Sequence, residues 1–189
     1  MCSSDLPRLL PAVINKAFVK IAFSAVFIIF IAGHFNLSRF CYANKTLKVA
    51  TAAGTVSNFF NNREENCSKL IEYLEQETTV EDTVVVFPEG PMINFMAQRY
   101  NPLYYCMYMP LDLNKKGVTD RVIREMEKFK VCYVVINQRL ADEQGYPVFG
   151  QDYGQAVWTY IGRNYDLVKQ FGPFPFTSEE YGIAVFKRK

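Results

Sequence analysis

From Ile21 to Ser38 the chain reads IAFSAVFIIFIAGHFNLS, a run without Asp, Glu, Lys or Arg. With the preceding AVINKAFVK it is long enough for one helix across a bilayer core, which takes roughly 20 residues. The span is expected over 11–38, with the lipid bilayer as its partner. Lys16 and Lys20 lie on its N-terminal side, within snorkelling reach of the headgroups. Arg39 and Lys45 follow on the other side, so the positive-inside rule votes only weakly for an inside N-terminus. A secretory signal peptide would show a similar basic start and apolar run. GHFNLSRFCYANK, however, offers no small-x-small cleavage site, and a membrane span is the favoured reading. His34 and Asn36 read as interfacial polar residues at its exit, and 39–45 as a linker.

After Lys45 the pattern turns to short strands and amphipathic helices. Leu47–Thr51 reads as a short strand followed by an Ala-Gly-Thr turn. In NNREENCSKLIEYLEQE, Cys67, Leu70, Ile71 and Leu74 recur at i, i+3, i+4 and i+7, which predicts a helix. Asn62 with Glu65 makes a capping-box pattern at its start. Asp82 to Phe87 is an apolar strand of the kind buried on both faces, and VCYVVI, 131–136, is a second. Pro91 to Gln98 reads as a short helix.

VTDRVIREMEKFK predicts a further helix, capped by Thr119 or Asp120, with Val122, Ile123, Met126 and Phe129 on one face. DYGQAVWTYIGRNY predicts another, with Asp152 and Gln155 as its capping pair and Ala156, Val157, Tyr160 and Ile161 inward. Asp166 to Phe171 and Gly182 to Lys187 close the chain as an antiparallel hairpin. Strands alternating with helices predict a three-layer α/β sandwich with a mostly parallel sheet.

At 189 residues there is room for one domain and an appendage: a start at 1–10, the span, the linker, and an extracytoplasmic α/β domain at 46–189. The net charge of +2 is uneven. Residues 1–48 carry Arg8, Lys16, Lys20, Arg39, Lys45 and Lys48 against Asp5, so the remainder is mildly acidic. That remainder shows no basic patch, which argues against nucleic acid as a partner. Cys2, Cys41, Cys67, Cys106 and Cys132 show neither a CxxC nor a metal spacing. His34 is the only histidine, so no Ser-His or Cys-His pair and no histidine-rich zinc site can form after the span. No metal and no cofactor is expected.

Candidate chemistry gathers where the apolar strands end. VVVFPEGPMINFMAQRYNP, residues 84–102, runs from a strand through Pro88-Glu89-Gly90-Pro91 into a helix pattern. Right-handed crossovers would bring this corner and Asn137-Gln138-Arg139 to one carboxyl edge, where α/β folds often place ligands. Glu89, Asn94, Arg99, Asn101, Asn137, Arg139 and Asp152 are the polar residues there. Each also has a structural reading. Glu89 lies before a helix start, where a carboxylate gains from the macrodipole. Pro91 suits a first helical position. Arg99 could pair with Glu89 across the short helix, and Asp152 could be an N-cap. A polar or anionic ligand gripped by Arg99 is the functional alternative. Tyr104, within YNPLYYCMYMP, would suit sugar stacking or a membrane interface, and equally packing beneath a loop. No glycine-rich phosphate loop is present, and no residue here is assigned as catalytic.

VVVFPEGPMINFMAQRYNPLYY, then FGQDYGQAVWTYIGRNYDLVKQFG some fifty residues on, then YGIAVFKR resemble the C-terminal soluble domain of one family. These are the bacterial dolichyl-phosphate-mannose–protein mannosyltransferase-like membrane glycosyltransferases. The shared motifs are the Pro-Glu-Gly turn, Arg99-x-Asn101-Pro102, the Phe149–Gly154 stretch and the Tyr-Gly-Ile end. KVATAAGTV, just past the last transmembrane helix, fits too. The resemblance implies a sugar donor carried on polyprenyl phosphate, an acceptor, and a soluble domain facing the periplasm or cell exterior of a bacterial inner membrane. It also implies that the catalytic carboxylate belongs to a first extracytoplasmic loop that this chain lacks. The domain would then bind acceptor, roof the active site or stabilise the membrane part. The alternative is a complete single-span protein whose exterior domain binds a ligand or protein. MCSSDL, back-translated with a GTG start, resembles the end of a sequencing adapter, which would make residues 1–6 non-biological and the natural protein longer.

Overall fold

The structure is a computed structural model that describes residues 16–58 and 61–189. The expected start at 1–10, the adapter-like residues 1–6 and the first residues of the expected span lie outside the described residues. The chain divides into two compact units between Asn44 and Lys45.

The first unit is one helix, α1, Lys16–Ala43. Within it Phe18–Ala43 is long and apolar enough to cross a membrane. At 1.5 Å per residue it reaches about 39 Å, more than a hydrocarbon core of about 30 Å. Its side chains are exposed along the whole apolar window, unlike those of a core helix in a soluble protein. A signal sequence would share this composition. Asn36 Nδ2 donates to Ala32 O at 3.0 Å, so this polar side chain is satisfied by the helix itself. The helix continues through 39–43, where a linker was expected, and Asn44 closes it by donating from N and Nδ2 to Phe40 O.

The second unit holds two sheets. Strands β1, Leu47–Thr51, and β2, Gly54–Asn58, pair antiparallel as a hairpin. Gly54 sits at φ +123, a conformation that L side chains rarely adopt. The turn is fixed to the next helix, α2, Asn62–Glu77, by Ala52 N donating to Glu75 Oε1 at 2.7 Å. The cap of α2 is Asn61, one residue before the expected Asn62, and its side chain accepts from Glu64 N at 2.9 Å.

The main sheet runs β3-β4-β6-β5, with β3 Val84–Phe87, β4 Tyr133–Asn137, β5 Tyr165–Phe171 and β6 Ile183–Arg188. Only β3 and β4 are parallel; β4–β6 and β6–β5 are antiparallel. The sheet is therefore mixed, and the expected mostly parallel sheet is corrected. The closing β5–β6 pair returns antiparallel and places β6 beside β4, which removes every parallel pairing beyond the first.

Register sorts the strand residues into two apolar layers. Val84, Val86, Tyr133, Val135, Ile183 and Val185 pack with α2 and with α3, Pro91–Ala97. Val85, Phe87, Val134, Ile136, Ala184 and Phe186 pack on the other face. Residues of α4, Pro110–Leu113, α5, Val118–Lys128, and α6, Gln155–Asn164, join this second layer. Helical cover on both faces explains why β3, and β4 up to Ile136, carry apolar or aromatic residues at every position.

Three further expectations differ. Helix α5 begins after Gly117 in a left-handed conformation, not at a Thr119 or Asp120 cap; Thr119 Oγ1 instead donates to Leu113 O. Gly154 likewise precedes α6, while Asp152 Oδ2 accepts from Val148 N at 2.9 Å and Gln155 Nε2 donates to Gln151 O. Ala156 is exposed, whereas Val157 and Ile161 are buried as expected.

Candidate functional site

Parallel pairing of β3 with β4 brings the Pro88 corner and Asn137 side by side, since Phe87 is in register with Ile136. The corner is built tightly. The Phe87–Pro88 peptide is cis, and Tyr108 N donates to Pro88 O at 2.7 Å. Gly90 lies against Val86, so close that a Cβ there would sit 2.1 Å from Val86 Cβ. Pro91 then starts α3 at its first position.

Of the candidate residues, Glu89, Asn137 and Arg139 converge. Arg139 Nε donates to Glu89 Oε2 at 3.1 Å and its NH2 group to Glu143 Oε1 at 2.8 Å. Burial alone would lower the Arg139 pKa, but the Glu89 hydrogen bond and the charges of Glu143 and Glu89 raise it. The arginine stays cationic throughout. Asn137 Nδ2 donates to Glu89 O at 2.6 Å, which fixes the orientation of its amide. Among the described residues no donor reaches Asn137 Oδ1, although the residue is only 4% exposed. A shielded acceptor without a partner is uncommon in folded proteins.

These three residues line a cleft of about 530 Å³ between the β1–β2 hairpin, α2 and α3. Val49 and Val56 from the hairpin, Ile71 from α2, and Ile93 and Met96 from α3 supply apolar walls. Arg63 also lines it, with its guanidinium 5.5 Å from the Tyr181 ring centre. Cys67 lines the same wall and its Sγ lies 3.8 Å from Tyr181 Oη. Burial pushes the Cys67 thiol pKa up, so this cysteine is a poor nucleophile. Glu64 lines the cleft as well, and its carboxylate takes the Asn58 side-chain amide.

The other candidates lie elsewhere and serve the fold. Asn94 Nδ2 donates to Val84 O and Arg99 O, tying α3 to β3. Arg99 does not meet Glu89, whose partner is Arg139. Its guanidinium is buried and donates to Thr78 and Leu74 at the end of α2 and to Ala97 at the end of α3. Asn101 Oδ1 accepts from Leu103 N and its Nδ2 donates to Tyr105 O, which shapes the following loop. Tyr104 is exposed, with Arg121 stacked 4.0 Å from its ring centre and its backbone N donating to Glu125.

The hairpin wall, Arg63 and Tyr181 are cleft residues that sequence reading did not single out. Val49 and Val56 flank the Ala-Ala-Gly turn at matching positions, and this symmetry was the available signal. Among the described residues no group of three His, Cys, Asp or Glu is placed to hold a metal. The arrangement can hold a small molecule between an aliphatic wall and a polar corner; proton transfer is not what its paired charges suit. No protein-family model matches the chain, and no curated protein matches it either.

Proposed function

We propose that the chain is the C-terminal part of an integral-membrane glycosyltransferase that draws sugar from a polyprenyl-phosphate carrier. In this reading α1 is its last membrane span. The α/β unit lies on the extracytoplasmic side of a bacterial inner membrane, where it holds or positions acceptor while transfer takes place in the membrane part.

One observation carries the reading. An apolar helix long enough to span a bilayer is followed directly by an α/β unit whose Pro-Glu-Gly corner opens on a cleft of mixed polarity. The motif resemblance supplies the family, and the corner that carries it lines the cleft. The cleft's charged groups support holding over catalysis, because Glu89 is engaged by Arg139 and Glu64 by Asn58.

Recovering the reading frame upstream of Pro7 tests this. The expected finding is a series of further apolar helices with an Asp- or Glu-bearing first loop. The complete protein in membranes should then transfer radiolabelled sugar from polyprenyl phosphate. Deleting 45–189 should lower that transfer at least about tenfold while the remainder still inserts. A natural start site just before Pro7, with no transfer activity, would overturn the proposal and favour a single-span protein with an extracytoplasmic binding domain.

A further inference from the structure

The cleft beneath the hairpin has a specific chemical bias. Its charged groups are engaged: Arg139 with Glu89 and Glu143, Glu64 with the Asn58 amide, and Arg63 over the face of Tyr181. Lys45, at the rim, is likewise engaged. Among the described residues that line the cleft, the buried side-chain polar atom without a partner is neutral, the Oδ1 acceptor of Asn137. Its own Nδ2 is committed to Glu89 O, so the amide cannot turn to offer a donor instead. A ligand that completes this corner must bring a hydrogen-bond donor, and a neutral donor leaves the engaged charges around it undisturbed. A carboxylate has no proton to give Oδ1, and an ammonium beside Oδ1 would compete with Arg139 for Glu89. A hydroxyl is the smallest neutral donor, and its rotor can aim the proton at Oδ1. The rest of such a ligand faces Val49, Val56, Ile71, Ile93 and Met96, which present only hydrocarbon and thioether.

We propose that this cleft binds an uncharged amphiphile bearing hydroxyl groups, with a hydroxyl donating to Asn137 Oδ1 and the aliphatic part lying along the hairpin and α3. This inference stands on the cleft alone and is independent of the glycosyltransferase reading, which the upstream reading frame decides.

The test titrates the full chain, in lipid nanodiscs with methyl-labelled methionine, against hexyl glucoside, hexanoate and hexylammonium. The Met92 and Met96 methyls report the cleft wall, and Met126, buried in the opposite layer, reports the fold. Hexyl glucoside should shift Met92 and Met96 saturably, and the two charged compounds should bind at least about fivefold more weakly. Val56→Phe, a substitution that suits a strand and narrows the cleft, should abolish the shifts while leaving Met126 in place. Asn137→Leu should weaken binding at least about fivefold. Lack of saturation by about 20 mM, equal binding of a charged compound, or unchanged binding in a folded Val56→Phe protein would each overturn the proposal.

Discussion

Arg99 Nε donates to Thr78 Oγ1 at 2.6 Å, and the same guanidinium reaches Thr78 O at 2.8 Å and Leu74 O at 3.1 Å. A cation thus closes the carboxyl end of α2. The last carbonyls of a helix have no partner within it, and the macrodipole there favours positive charge. The NH1 group turns the other way and donates to Ala97 O at 2.7 Å, so one side chain binds the ends of α2 and α3 together. Both helices form the wall of the cleft. Arg99 therefore acts on the cleft through the scaffold and not by touching a ligand.

Removing it should be costly. Arg99→Ala takes the guanidinium donor from Thr78 O and Ala97 O, at about 1–3 kcal/mol each, while Leu74 O keeps Thr78 N and Oγ1. The expected loss is about 3 kcal/mol or more, a fall of about 10 °C in melting temperature. Glu89→Gln breaks only a half-exposed ion pair and should change stability by less than about 1 kcal/mol. Thermal melts of both variants decide this, and similar small shifts would remove Arg99 from its capping role.

Gly90 gives a second expectation, steric in origin. Its φ of −156 lies outside the left-handed region, so a positive φ is not what requires glycine here. The obstacle is Val86, whose Cβ, Cγ1 and Cγ2 would lie within 2.1–2.8 Å of an added Cβ. Val86 is buried in the apolar layer beneath α2 and α3 and cannot swing away. Gly90→Ala should destabilise by about 3 kcal/mol or more, at the upper end of overpacking effects. A denaturant midpoint close to wild type would show that the corner can relax.

Much of the fold was legible because its signals are local. β3 and β4 are unbroken apolar runs, and Leu70, Ile71 and Leu74 keep helical spacing; each was placed within a residue or two. Sheet order was not legible, because nothing local tells β6 to pair with β4. Caps were misplaced for a related reason. Asp152 and Thr119 have the right chemistry, but Gly154 and Gly117, each adopting a left-handed φ, decide where α6 and α5 begin. At the site, adjacency of Glu89 and Arg139 followed from parallel strands, whereas Arg99 was misread. Its ten-residue distance from Glu89 suggested a partner, while its true partners on α2 lie more than twenty residues upstream. Tyr181 lines the cleft from the segment that leads into β6, a placement that depends on the sheet order and has no local signal.

The cysteines offer a labelling test of the same geometry. Cys106 is exposed on the loop after Tyr105, whereas Cys67, on α2, packs against Tyr181 and its thiol pKa is raised by burial. The thiolate is the reactive form. At pH 8 iodoacetamide should modify Cys67 at least about tenfold more slowly than Cys106, as read by peptide mass spectrometry. Equal rates would mean that the α2 wall of the cleft opens readily.

Asp82 supplies the pH dependence. Its Oδ2 accepts from Thr79 N at 2.8 Å and Thr79 Oγ1 at 3.1 Å, closing the turn between α2 and β3. The backbone hydrogen bond from Thr79 is the main cause that holds its carboxyl below the usual range, against a smaller opposing effect of burial. A carboxylate with a depressed folded pKa contributes stability that is fully present above its unfolded value, about 3.9. That contribution is lost as pH falls through the lower, folded value. Asp82→Asn keeps an acceptor for Thr79 but removes the charge, so it isolates this effect. The variant should melt below wild type at pH 7, and the gap should close as the pH drops below about 4. Glu125, also held low against its own burial, by the Tyr104 N–H and Arg121, is unchanged in both proteins and cancels from the comparison. A gap that persists undiminished at pH 2–3 would assign the loss to packing around the turn and not to the charge on Asp82.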